Sequence, residues 1–230
     1  MSGCPWSDWP QTAADFCERS LCAWVRQPGN TWSNVGFLLA GLWMLYDSRR
    51  LSRRHLSPIA RITLFLAFGS AFFHASETTV GQLADWAGMM LAGAWMLTVC
   101  VERITLWRRP AVTAVFWLLF ALPMSTFLLD RQNLRWVFSA EGTICAGLEL
   151  WLSFGPRRAG SYLWNLACWA ALVPAMVAWG LDTSGKLCHP DNHWISGHAL
   201  WHLLAALGFV FAYLYYAQFP AVQLGPVGRG

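Results

Sequence analysis

The chain has 230 residues, a formal net charge of +4, 56% hydrophobic residues and 12% charged ones, against roughly 25% charged in an average soluble domain. Its apolar residues come in long blocks, which excludes an ordinary water-soluble domain and makes the chain a polytopic membrane protein. The positive balance gives no support to nucleic-acid binding, and no Gly-rich phosphate loop or nucleophile elbow supports nucleotide or serine-hydrolase chemistry.

Residues 1–30 hold acids, Pro and Gly without a long apolar run, so no cleavable signal peptide is expected and the segment reads as an extracytoplasmic N-terminal piece. Seven spans follow, each near the ~20 residues that a hydrocarbon core of ~30 Å requires: 31–47, 59–76, 82–102, 110–129, 133–154, 161–181 and 196–217. The first is its own insertion signal. The second carries Ser70 and His74 near its end, and after the short link 77–81 the third opens with Asp85. The fourth and sixth contain Pro123 and Pro174, which a packed bundle tolerates because neighbours re-satisfy the freed backbone groups. The fifth contains Glu141 and Glu149: the latter sits near water at the span end, and the former suits either a cavity wall or a helix contact. The loop before the seventh span reads Cys188-His189-Pro190-Asp191-Asn192-His193, whose histidines are taken as solvated. The seventh span opens with His198-Ala199-Leu200-Trp201-His202, and 218–230 forms a tail. The expected architecture is an all-α, seven-transmembrane-helix bundle, a single domain over 1–230.

Most of the sixteen basic residues cluster on alternate links: Arg49, Arg50, Arg53, Arg54 and Arg61, then Arg103, Arg108 and Arg109, then Arg157 and Arg158. The positive-inside bias therefore puts the N-terminus outside and the C-terminus in the cytoplasm. Sixteen tryptophans, several near span ends, suit an interfacial aromatic belt. Of seven cysteines, Cys100, Cys145 and Cys168 lie in spans as small apolar packing residues. Cys4, Cys17, Cys22 and Cys188 are external, where disulfides form.

Ionisable groups at membrane depth are costly and mark functional sites by default. His74 lies near the outer end of its span with Ser70 one turn deeper on the same face, and Asp85 enters the next span at about that depth. His198 and His202 present two imidazoles on one face as i and i+4. Taken singly, a histidine at a helix end is usually a hydrogen-bonded interfacial residue; the pair asks for a shared reason. If the second, third and seventh spans touch, all five groups converge. Three imidazoles with an open position suit catalytic zinc.

Gly69-Ser70-Ala71-Phe72-Phe73-His74, Asp85 and His198-Ala199-Leu200-Trp201-His202, in that order, resemble the alkaline ceramidases and the wider superfamily of seven-helix membrane hydrolases that includes the adiponectin receptors. Asp15-Phe16-Cys17-Glu18 and Asn30-Thr31-Trp32-Ser33-Asn34 also resemble the ceramidase N-terminal region. The resemblance implies zinc on His74, His198 and His202, Ser70 and Asp85 as catalytic groups, and hydrolysis of a ceramide-like lipid amide drawn from the bilayer to a fatty acid and an amine. It implies a Cys17–Cys188 disulfide over the mouth of the site. It also brings a calcium site, for which Asp15, the Phe16 carbonyl and Glu18 align, while Ser20 stands where an Asn is expected and Gln27 where a Glu is. Only two carboxylates remain in that set, few for calcium. The alternative reading is a receptor-like or transport membrane protein with a structural metal or haem at the histidine cluster, although no inverted internal repeat is seen.

Overall fold

The computed structural model describes residues 3–12, 16–105, 109–129, 134–154 and 161–219. Among these the chain is all-helical: α1 (Pro28–Trp32), α2 (Val35–Arg50), α3 (Ser57–Ser76), α4 (Thr79–Thr105), α5 (Arg109–Leu129), α6 (Leu134–Phe154), α7 (Leu163–Thr183) and α8 (Gly197–Tyr216), with a 3-10 turn at Arg54–Leu56 before α3. The seven long helices follow the expected spans, with one difference at the start. The helix expected at 31–47 is broken at Ser33-Asn34, so that α1 is a separate turn in front of α2. Ser33 and Asn34 turn their side chains onto local carbonyls, Ser33 Oγ donating to Asn30 O and Asn34 Nδ2 to Asn30 O, both at 2.9 Å, the usual competition of such residues with a regular helix.

By length and composition, five segments are apolar enough to cross a membrane: Arg54–Ser76, Thr79–Thr105, Pro110–Phe127, Leu163–Thr183 and Gly197–Tyr216. The other two long helices are α2, at 16 residues, and α6, which carries Arg135, Glu141 and Glu149. Large apolar side chains stand exposed on the perimeter, among them Trp117, Leu122, Leu166 and Val173. An apolar exterior around a bundle that hides its acids is what lipid as solvent demands.

Helices α3 and α4 are joined by two residues, Glu77 and Thr78, and pack as antiparallel neighbours. Glu77 ends α3 in the left-handed conformation, at φ 50°, and Thr78 Oγ1 accepts the Gly81 N–H of α4 at 3.1 Å. Their close approach requires glycine: a Cβ on Gly69 would lie 2.9 Å from the Ala84 carbonyl oxygen, and one on Gly88 would lie 2.9 Å from Leu66 Cα. Helix α8 packs against α7 and α2 and touches α3. The ends of α3 and α7, the starts of α4 and α8, and the N-terminal segment therefore gather at one end of the bundle.

The opposite end is closed by buried polar groups. Arg103 Nη1 donates to both Glu149 oxygens at 2.8 Å, while Tyr215 and Tyr216 donate to the same carboxylate at 2.7 and 2.9 Å. Glu149, expected near water, is thus 1% exposed and ion-paired. Arg103, expected in a link, is its partner: α4 continues past the expected end at 102 to Thr105, which turns the arginine inward.

Candidate metal centre

His74 lies in the last turn of α3, and His198 and His202 in the first two turns of α8. Each is buried, and one ring nitrogen from each lies within 4.8 Å of the others. Contact between α3 and α8 creates this cluster from positions 124 residues apart.

Local capping fixes where α8 begins and so where its imidazoles stand. Ser196 Oγ accepts the Ala199 N–H at 2.8 Å as an N-cap. Asp182, near the end of α7, accepts the His198 N–H at 3.1 Å and the Cys17 N–H at 3.0 Å. A buried carboxylate at a helix N-terminus both satisfies free N–H groups and suits the helix dipole. Asp182 is a positioning residue that the sequence reading did not single out; its signal was a lone acid at the end of an apolar span.

Two of the rings are oriented by hydrogen bonds at the nitrogen that faces away. Gln27 Oε1 lies 2.9 Å from His74 Nδ1, and since an amide oxygen only accepts, Nδ1 carries the proton and Nε2 keeps its lone pair. Ser33 Oγ lies 2.7 Å from His202 Nδ1. Its single proton goes to Asn30 O, so it accepts from Nδ1–H and again leaves Nε2 free. This is the outer support that metal-binding histidines normally have.

The donor set fits a zinc ion. Nε2 of His74 and Nε2 of His198 face each other at 3.2 Å, close to the roughly 3.3 Å edge of a tetrahedron with metal–nitrogen bonds of ~2.0 Å. Two neutral imidazole lone pairs at that distance repel unless a cation or a proton lies between them.

Ser70, one turn before His74 on α3, places Oγ 3.4 Å from His202 Nε2 and stands beside the Asp85 carboxyl of α4. Both side chains are buried, and both line a cavity of about 970 Å³ shared with His198 and His202. The walls running away from this cluster are largely apolar, including Trp86, Met89, Phe138, Leu172, Met176 and Phe209. The arrangement sets imidazoles, a carboxyl and a hydroxyl at the head of an apolar chamber inside the bundle.

The N-terminal segment is laced across this head. Disulfides join Cys4 to Cys22 and Cys17 to Cys188. Backbone bonds run from Arg26 N to Ala75 O, from Gln27 N to His74 O and from Arg19 N to Pro190 O. The Phe16 ring lies tilted against the cluster, its centroid 4.2 Å from His198 and 4.9 Å from His74.

The residues aligned with a calcium site do something else. Glu18 is 1% exposed, and its oxygens accept the Gly29 and Asn30 N–H groups, each at 2.8 Å, at the start of α1. His193, taken as solvated from sequence, lies 3.0 Å from Glu18 Oε1. Ser20 Oγ and Gln27 Nε2 both donate to Glu77 Oε1, at 2.7 and 2.9 Å, and Arg26 Nε pairs with Glu77 Oε2 at 2.7 Å. Asp15 lies outside the described residues. Of the described members, Glu18 is held by backbone N–H donors, while Ser20 and Gln27 turn their own donors toward Glu77, whose other oxygen pairs with Arg26.

A family model with the description Ceramidase matches residues 9–227 of this chain, nearly its whole length. Among curated proteins, no sequence matches it.

Proposed function

Because the chain belongs to the ceramidase family, we propose that it is a zinc-dependent intramembrane amide hydrolase that cleaves ceramide or a related N-acyl lipid to a fatty acid and an amine. The observation that carries this reading is the convergence of three buried imidazoles with Asp85 and Ser70 at the head of one apolar cavity. The family supplies the lipid amide as substrate class, and the cavity supplies a place for its chains.

His74, His198 and His202 hold the metal through ring nitrogens, two of them set by Gln27 and Ser33. When bound, zinc supplies Lewis acidity toward a carbonyl oxygen and lowers the pKa of a water to ~7. Asp85 orients the attacking water and takes its proton, then returns a proton to the departing amine nitrogen. Ser70 donates to the amide oxygen as negative charge develops on it. The apolar walls keep bulk water from the chamber, so these charges act at low dielectric.

The chain is read as one domain over 1–230 with an extracytoplasmic N-terminus and a cytoplasmic tail at 218–230. Two disulfides at the N-terminal end of the bundle support that sidedness, since they form in oxidising compartments.

The direct test is elemental analysis of detergent-purified wild type beside His198→Ala, paired with release of fatty acid from ceramide. One zinc per chain and turnover, both lost in the variant, is the expected result. Turnover that survives without metal would remove the mechanism.

A further inference from the structure

Glu141 of α6 is 6% exposed, and neither of its carboxyl oxygens has a hydrogen-bond partner among the described residues. It lines the same cavity as Ser70, Asp85, His198 and His202. The facing residue on α4 is Gly93, where even a Cβ would come within 2.5 Å of Glu141 Oε2. The helix opposite thus leaves room for this carboxyl and offers it no donor.

A carboxyl buried at membrane depth without a partner is costly whether charged or neutral. Three other buried acids among the described residues avoid that state: Glu149 takes four donations from Arg103, Tyr215 and Tyr216, Glu18 takes two backbone N–H groups, and Asp182 likewise takes two. Glu141 alone among these four keeps its hydrogen-bonding capacity, and it faces the cavity.

Its depth defines what could reach it. Gly93 lies eight residues beyond Asp85 on α4, about 12 Å along the helix axis at 1.5 Å per residue. An extended hydrocarbon advances about 1.25 Å per carbon–carbon bond of ~1.5 Å, so a chain whose acyl carbon sits at the Asp85 level passes Glu141 near its tenth carbon.

We propose that Glu141 forms a subsite for a hydrogen-bond donor in the middle of a lipid chain, a hydroxyl near carbon ten, and so selects mid-chain-hydroxylated acyl lipids over plain ones. This rests on the reading that the cavity holds the lipid chains. The hydroxyl donates to the Glu141 carboxyl; the nearest polar side chains of the same helix in the lining, Ser139 and Thr143, give their protons to their own helix and Glu149 is already paired, which leaves Glu141 as the open acceptor at that level and gives position selectivity along the chain. Groups placed to hydrogen-bond a substrate hydroxyl discriminate against the analogue that lacks it because the protein group is then left unpaired.

The test compares equilibrium binding of octadecanoic acid and 10-hydroxyoctadecanoic acid to the full-length protein in lipid nanodiscs, for wild type, Glu141→Met and Glu141→Gln. Wild type should bind the hydroxy acid about tenfold tighter, after correction for partition into protein-free discs. Glu141→Met should bring the ratio to about one and tighten binding of the plain acid. Glu141→Gln, which keeps an acceptor, should retain most of the preference. Equal binding in wild type, or a preference that persists in Glu141→Met, would overturn the subsite, leaving the group hydrated only. Because binding is read without turnover, these outcomes are separate from ceramide hydrolysis, whose absence would count against the proposed reaction alone.

Discussion

Gln27 Oε1 accepts a hydrogen bond from His74 Nδ1 at 2.9 Å, while Gln27 Nε2 donates to Glu77 Oε1, also at 2.9 Å. One side chain therefore couples a proposed metal ligand to the Arg26–Glu77 ion pair that anchors the N-terminal segment. Replacing Gln27 by Leu removes the acceptor that fixes the His74 tautomer. Loss of such an outer partner typically costs 10–100-fold in metal affinity, and zinc competition against a chelating dye should show a weakening of that order. Unchanged affinity would mean that the ring is held by packing alone.

Zinc removal is expected to be reversible in function. Dialysis against a strong chelator should abolish ceramide hydrolysis, and one equivalent of zinc should restore it in wild type but not in His202→Ala. Full activity in metal-depleted protein would contradict the assigned role of the imidazoles.

Asp85 and Ser70 are predicted to act on the reaction and not on the metal. Asp85→Asn should lower kcat by about 10²–10⁴, the usual contribution of a positioned general base, with zinc content kept near wild type. Ser70→Ala should lower kcat by roughly 10–10³, the range for loss of one oxyanion donor at its upper end. Loss of zinc in either variant would move that residue into the support of the metal.

Calcium should be dispensable. Glu18 and Glu77 are already held by Gly29, Asn30, His193, Ser20, Gln27 and Arg26, so a calcium-selective chelator should change neither activity nor melting temperature. A drop that calcium reverses would show that the segment binds the ion after all.

At the other end of the bundle, Arg103→Met should be strongly destabilising. It leaves Glu149 buried and without its cation, a change that costs ~3–5 kcal/mol in comparable sites. Thermal unfolding in detergent should show a lower Tm for Arg103→Met, and partial recovery in Arg103→Met/Glu149→Leu, where no charge is stranded. Recovery is the diagnostic part, because a packing role for Arg103 alone predicts that the second change makes matters worse.

Much of this molecule was legible in the chain itself. Long apolar blocks with charged links gave the seven long helices to within four residues at each end, because lipid permits only backbone that bonds within its own segment. The short link 77–81 gave α3 and α4 as neighbours, and the i, i+4 spacing put His198 and His202 on one face. Ser70, His74 and Asp85 stood out because polar groups are rare at such depth.

Tertiary structure decided the rest. Which helices touch depends on side-chain packing across the bundle, so the meeting of His74 with His198 became visible only once α3 contacted α8. The supporting groups were obscure for the same reason: Gln27, Ser33 and Asp182 are ordinary polar residues whose partners lie between 16 and 169 positions away. The fates of the acids were also undecided in one dimension. Glu149 met Arg103 because α4 extends to Thr105 and turns it inward, Glu18 met the N–H groups of α1, and Glu141 met no hydrogen-bond partner among the described residues. Hydropathy records the cost of burying a charge; only the fold shows what is set against it.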